Sequence, residues 1–216
     1  VAGLRRKRNP WLDIPAADYE GHMSHEAVGQ LQALNRIFAE IMVTFEPRRL
    51  CVLGCATGNG FEHIRPEVTE SVVAVDVNRD YLDVVEDRYR PTLPGLEVVC
   101  ADATKARIEP ASRDHVHAGL VFEYVDVKRV LARAASWLKT GGVLSAVIQL
   151  PSAASGPVTD TPYQSLKRLE RFMHLVDPAE LTGAAEAVGL SERKSFDVGL
   201  KRGKKLRVIY FVKRDV

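Results

Sequence analysis

Residues 50–60 read LCVLGCATGNG, and this stretch sets the reading of the whole chain. Leu50-Cys51-Val52-Leu53 is an apolar run of the length of a buried strand. Glycines at 54, 58 and 60 then break the chain into a turn, and Phe61-Glu62-His63-Ile64 can open a helix. A strand, a glycine-rich turn and a helix start make a place for an anion or a nucleotide. Glycine lets backbone N–H groups approach a ligand closely, and a helix N-terminus adds partial positive charge. A tight turn without a ligand would leave the same trace, so the neighbouring strands have to decide.

They point to a nucleotide-type site. Val72-Val73-Ala74-Val75-Asp76 is a second buried-strand run ending in a carboxylate. Asp76 lies about 20 residues past the glycine turn, the spacing at which an acid accepts hydrogen bonds from ribose hydroxyls. A third run, Leu96-Glu97-Val98-Val99-Cys100, ends at Ala101-Asp102. A fourth covers 116–121 and is followed by Phe122-Glu123-Tyr124. Ligands of open α/β sheets bind at the carboxyl ends of the strands, where these residues fall.

With those residues in view, the sequence resembles the class I S-adenosylmethionine (SAM)-dependent methyltransferases. The turn from Gly54 to Gly60, the terminal Asp76, Ala101-Asp102-Ala103 and Leu138-Lys139-Thr140-Gly141-Gly142 carry the likeness. It covers residues 48–150 well and the remainder loosely. The resemblance implies an α/β, Rossmann-like class I methyltransferase fold. Its sheet is seven-stranded and mostly parallel, in the order 3-2-1-4-5-7-6, with helices on both faces. It also implies SAM as cofactor, with S-adenosylhomocysteine (SAH) as product. The glycine turn (Gly54, Cys55, Ala56, Gly58) would pass under the methionine part. Asp76 and Val77 would take the ribose, Asp102 and Ala103 the adenine, and Phe122 would stand beside the cofactor. Two positions depart from the family: Val52 replaces an acid two residues before the first glycine, and Ala56 replaces the middle glycine. A methyl group fits at 56 while φ stays negative.

Trp11 to Met23 reads as a loop with aromatics. Tyr19-Glu20-Gly21-His22-Met23 is similar in type to the segment that folds over the cofactor in small-molecule methyltransferases. Tyr19 and Met23 would pack on the ligand. His22 is a candidate general base, its ordinary pKa lying near neutrality. Glu123, a carboxylate at a strand end, is the second catalytic candidate. Residues 24–45 carry apolar side chains at threes and fours and predict one helix capped by Ser24. Residues 1–47 are therefore expected to be a cover segment and helix packed on the core, and 48–216 the SAM-binding domain, a single domain overall.

Beyond the turn, a short helix is expected to about Pro66, and a longer one from the cap Asn78 to about Arg90. A helix over 126–139, closed by Gly141-Gly142, leads into a fifth strand over 143–150. Residues 152–162 read as a loop able to act as a lid, and 163–176 as a helix. The stretch 152–176 would be an insertion lining the acceptor pocket. Asp177-Pro178 caps a further helix. Two closing strands flank Lys201-Arg202-Gly203-Lys204-Lys205, read as an exposed hairpin tip.

Composition narrows the function. The chain has 216 residues, a formal net charge of +2 and an ordinary hydrophobic fraction of 46%. Nothing in that balance demands a nucleic-acid or membrane partner, and no apolar run approaches a membrane span of about 20 residues. Three cysteines, all placed at the sheet interior, fit a reduced, cytoplasmic protein. His115 and His117 share a strand face but lack a third ligand nearby in sequence, so no metal is expected. The reading is methyl transfer from SAM to a small-molecule acceptor by in-line SN2 attack. The alternatives are a SAM- or SAH-binding module without turnover, and an RNA methyltransferase favoured only by basic ends such as Arg5-Arg6-Lys7-Arg8. A nicotinamide enzyme is disfavoured by the closing hairpin. Oligomeric state stays open, with a homodimer among the options.

Overall fold

A computed structural model describes residues 9–152 and 156–215; the basic stretch Arg5-Arg6-Lys7-Arg8 lies outside the described residues. Seven strands form one sheet in the order β3-β2-β1-β4-β5-β7-β6. They are β1 (Arg49–Leu53), β2 (Ser71–Asp76), β3 (Leu96–Cys100), β4 (Arg113–Gly119), β5 (Leu138–Gln149), β6 (Leu190–Gly199) and β7 (Lys205–Lys213). β1 to β5 pair in parallel, and β7 runs antiparallel to both β5 and β6. The expected order and closing hairpin are both present.

The period of two along each strand splits the core. Leu50, Val52, Val72 and Ala74 face a cluster shared with α2 (Gln30–Phe45) and α3 (Arg79–Tyr89). Cys51, Leu53, Val73 and Val75 face the opposite cluster, against α4 (Val127–Trp137) and α5 (Pro178–Glu186). Burial on both faces is why these strands read as continuous apolar runs. Val52 is 4% exposed within the first cluster, so an acid there would be a carboxylate among apolar side chains.

Several boundaries differ from expectation. The single helix over 24–45 is two. α1 (Ala16–Ser24) closes where the His25 N–H donates to the His22 carbonyl, and α2 restarts after Gly29 at φ 64°. Glycine takes that left-handed conformation at little cost, and the chain turns there. Trp11 to Met23 is likewise not a loop: a 3₁₀ turn (Pro10–Asp13) precedes α1. Residues 61–66 make only a 3₁₀ turn, Phe61–His63. Over 163–176 only Gln164–Arg171 is helical, as 3₁₀. Its two buried residues, Leu166 and Leu169, lie three apart, the repeat of a 3₁₀ helix. α4 stops at Trp137, and Leu138 is already extended, so Gly141-Gly142 belongs to β5 rather than to a helix cap. Cys51 and Cys55 are buried, but Cys100 is exposed on β3, the edge strand of the sheet.

The histidine pair on β4 meets a partner inside the core. His115 Nε2 and His117 Nδ1 each lie 2.8 Å from Ser145 Oγ on β5. A hydroxyl donates once, so at most one imidazole accepts from it and at least one donates to it. Burial pushes both pKa values down, to about 3 for His115 and about 4 for His117, and both rings are neutral at pH 7. Ser145→Ala leaves two buried ring nitrogens without a partner. It is expected to cost roughly 1–3 kcal/mol in urea unfolding. An unchanged midpoint would show that the rings are satisfied elsewhere.

Candidate functional site

All the parallel strands deliver their carboxyl ends to one side, and a cavity of about 990 Å³ opens there. Ligand pockets run from about 300 to 1,000 Å³, so this one has room for two small molecules end to end. At the β1 end the glycine turn puts Gly54, Gly58 and Gly60 at φ 59°, 82° and 93°. Ala56 also lies at positive φ, 46°, which corrects the expectation of a negative angle. A side chain in the left-handed region costs about 1–2 kcal/mol. Asp76 offsets that cost: its Oδ2 accepts from the Ala56 N–H at 2.9 Å, a hydrogen bond to a charged group worth about 1.5–3 kcal/mol.

Asp76 is 9% exposed at the end of β2 and its Oδ1 accepts from the Asn78 N–H at 2.9 Å. Burial pushes its pKa up, and the backbone donors of Asn78 and Ala56 oppose the shift. Each carboxylate oxygen still has a lone pair for a ligand hydroxyl. The Asn78 side chain caps α3 by accepting from the Asp80 N–H and donates to the Trp11 carbonyl at 2.9 Å. One residue thus ties the turn, the helix and the N-terminal segment together. At the β3 end, Asp102 Oδ1 accepts from Thr104 N and Oγ1, while Oδ2 makes no hydrogen bond among the described residues.

The N-terminal segment roofs the cavity. The Trp11 ring stands edge-on to Tyr19 and to Tyr124 at centroid distances of 6.2 and 5.0 Å. Tyr19 packs on Tyr81 at 5.5 Å. α1 also docks on the 3₁₀ segment Gln164–Arg171, where Ser165 Oγ donates to Asp18 Oδ2. His22 is 5% exposed, with Nδ1 2.9 Å from Thr161 Oγ1. Burial, then the nearby Lys204, push its pKa down to about 4, so it is a neutral imidazole at pH 7.

Most of the residues expected from the sequence converge. Tyr19, His22, Met23, Gly54 and Ala56 line the cavity. So do Asp76, Val77, Asp102 and Ala103. Cys55, Gly58, Phe122 and Glu123 do not line it. Phe122 fills the core beneath at 1% exposure. Glu123 is fully buried, its Oε1 accepting from the Gln149 N–H at 2.7 Å and its Oε2 without a hydrogen-bond partner among the described residues. Its neighbour Tyr124 takes the place on the wall. Tyr81 on α3, not among the residues expected from the sequence, lines the cavity too. Its hydroxyl is buried and has no hydrogen-bond partner among the described residues.

Comparison with known proteins agrees with this geometry. Residues 51–146 match the methyltransferase domain family. No curated protein sequence matches the chain. Among solved structures, one similar chain is from the complex between the Haloferax volcanii Trm112 methyltransferase activator and a methyltransferase. It is 14% identical, with a TM-score of 0.71, covering 99% of this chain and 100% of that one. The Streptomyces coelicolor geranyl diphosphate C-methyltransferase, solved with Mg²⁺, geranyl diphosphate and SAH, gives 12% identity and a TM-score of 0.65, over 87% and 82% of the two chains. The [4+2]-cyclase SpnF gives 14% and 0.69, over 88% and 84%. Over residues 51–146 the chain is similar to the methyltransferase domain family, and its sheet has the Rossmann-like fold of the class I methyltransferases.

Glu123 supplies a test of this geometry. Burial raises its pKa from 4.5 to about 7 against the opposing Gln149 N–H. The folded state therefore holds a proton that the unfolded state gives up first, and stability falls as pH rises from 4.5 through 7. Glu123→Gln removes that dependence. Its stability relative to wild type is expected to improve by roughly 1–3 kcal/mol between pH 4 and pH 8. A constant difference across that range would place the carboxylate in contact with water.

Proposed function

We propose that this protein moves a methyl group from SAM to a small-molecule acceptor, both held in the cavity. The observation that carries the reading is the division of the cavity wall. The ends of β1, β2 and β3 bring Gly54, Ala56, Asp76 and Asp102 to one part, while the ends of β4 and β5 and residues 157–174 make the rest. The first part fits a nucleoside: two acids with free acceptor capacity, the orphan Tyr81 hydroxyl and a glycine turn.

In this reading Asp76 accepts from the ribose hydroxyls and Asp102 Oδ2 from the adenine amino group. The turn lies under the methionine part, and Tyr19 and Met23 cover it. Residues 9–47 act as the lid and anchor of one domain. Bound SAM would supply a methyl group already activated by its sulfonium, so no covalent help from the protein is called for. The chain's contribution is alignment and exclusion of water. The aromatic roof of Trp11, Tyr19 and Tyr124 closes the site. His22, neutral at pH 7, can accept a proton from an acceptor hydroxyl or amine. Glu123, beneath the wall, positions the Gln149 backbone rather than touching substrate. The three free cysteines suit a reducing compartment, and we place the protein in the cytoplasm; among the described residues no helix is long and apolar enough to cross a membrane.

A second reading is binding of SAM or SAH without turnover. Ala56, a side chain at positive φ in the turn that would hold the methionine part, favours it. Activity on an acceptor separates the two. The first experiment is calorimetric titration with SAM, SAH and NAD⁺. SAM and SAH are expected to bind in the micromolar range and NAD⁺ not at all. Asp76→Ala is expected to weaken SAM by roughly 1–3 kcal/mol. Binding of NAD⁺ in place of SAM, or an unchanged Asp76→Ala variant, would overturn the assignment.

A further inference from the structure

The basic tip between β6 and β7 does not behave as a uniform exposed turn. Lys201, Arg202, Gly203 and Lys205 are exposed, but Lys204 turns inward and is 4% exposed. Its side chain reaches the cavity wall, and Nζ donates to the Pro157 carbonyl at 3.0 Å. Among the described residues no carboxylate lies within ion-pair distance of it. Arg202 and Glu170 act on it from further away with opposite sign.

Lys204 closes a chain of otherwise neutral groups. Gln30 Nε2 donates to Gln149 Oε1 at 2.8 Å, and Gln149 Nε2 donates to the same Pro157 carbonyl at 2.9 Å. His22 is neutral, and Thr159 is buried on the same cavity wall. The acids of the cavity lie elsewhere, at the ends of β2 and β3 and at the start of α4, where Asp126 pairs with Arg129. An ammonium has three donors, and the Pro157 carbonyl uses one. A buried charge without a counter-charge is costly unless something pairs with it. A bound sulfonium would add a second cation to the same low-dielectric space, and an anion balances both.

We propose that the methyl acceptor carries a carboxylate, bound by the Lys204 ammonium at the β5 end of the cavity. This rests on the methyl-transfer reading of the site. The ammonium's own surroundings, neutral amides and hydroxyls, match a monoanion, whereas a phosphate dianion calls for further cations or an arginine fork. Arg171 and Lys105 also line the cavity, and the phosphate arm of the test reads whether they join Lys204. Lys204 is thereby a specificity-determining residue, and Gln30 and Gln149 hold the Pro157 carbonyl that orients it.

The test uses the whole protein saturated with SAH, and again without it. Benzoate, phenylacetate, their primary amides and phenyl phosphate are titrated by calorimetry. The carboxylates are expected to bind about tenfold or more tightly than amides of the same shape. Lys204→Gln keeps a donor for the Pro157 carbonyl but loses the charge. It is expected to abolish that preference without changing SAH affinity. Lys204→Arg is expected to retain the preference. Amides binding as well as carboxylates, a preference that survives in Lys204→Gln, tighter binding of phenyl phosphate, or no carboxylate binding at all would each overturn the proposal. If the glutamine variant fails to fold, the acid–amide comparison on the wild type decides alone. Failure of SAH to bind counts against methyl transfer, while the comparison on ligand-free protein still decides for or against Lys204.

Discussion

The site hangs on one carboxylate. Asp76 ends β2 and accepts from two backbone N–H groups, one in the glycine turn after β1 and one at the start of α3. A buried carboxylate is unfavourable alone, and a left-handed alanine is unfavourable alone. Together they satisfy each other, because the acid takes the N–H that the turn presents. The geometry that follows is a rigid floor with acceptor capacity left over. Asn78 passes the same constraint to the roof, since its side chain holds both α3 and the Trp11 carbonyl. Turn, helix and cover are therefore positioned by adjacent residues on one strand end.

The far half of the cavity obeys different physics. It is assembled from residues distant in sequence: Gln30 on α2, Gln149 on β5, Pro157 in the loop and Lys204 just before β7. Neutral amides relay hydrogen bonds to a single carbonyl, which the Lys204 ammonium shares. Beneath it burial raises the Glu123 pKa to about 7 while the carboxylate fixes the Gln149 backbone. In the proposed reading, nucleoside and acceptor recognition are separated along the carboxyl end of the sheet, as ligand sites of α/β sheets allow.

The sheet was legible because double burial makes each parallel strand an apolar run, and because glycine, Asp76 and Asp102 fall where those runs end. The antiparallel hairpin was legible from its turn. The roof was not. α1 buries Tyr19, His22 and Met23, a three-four spacing that is helical, but tyrosine and histidine conceal it in a hydrophobicity pattern. Gly29 broke a helix whose apolar stripe ran on through it. Cys55, Gly58 and Phe122 belong to the turn and strand-end motifs, yet they pack below the wall, because a motif fixes backbone path and not which side chain faces a cavity. Lys204 could not be told from its exposed neighbours, since its burial depends on the loop around Pro157, about 50 residues away in sequence.

The measurement that tests the central claim most directly is an amide NMR titration of the protein with SAH. Saturable shifts are predicted at Ala56, Val77, Asn78, Asp102 and Ala103, with smaller ones in α1 as the roof closes on the ligand. Shifts confined to the β5 end, around Gln149 and Lys204, or none at Ala56 and Asn78 at saturation, would contradict the account.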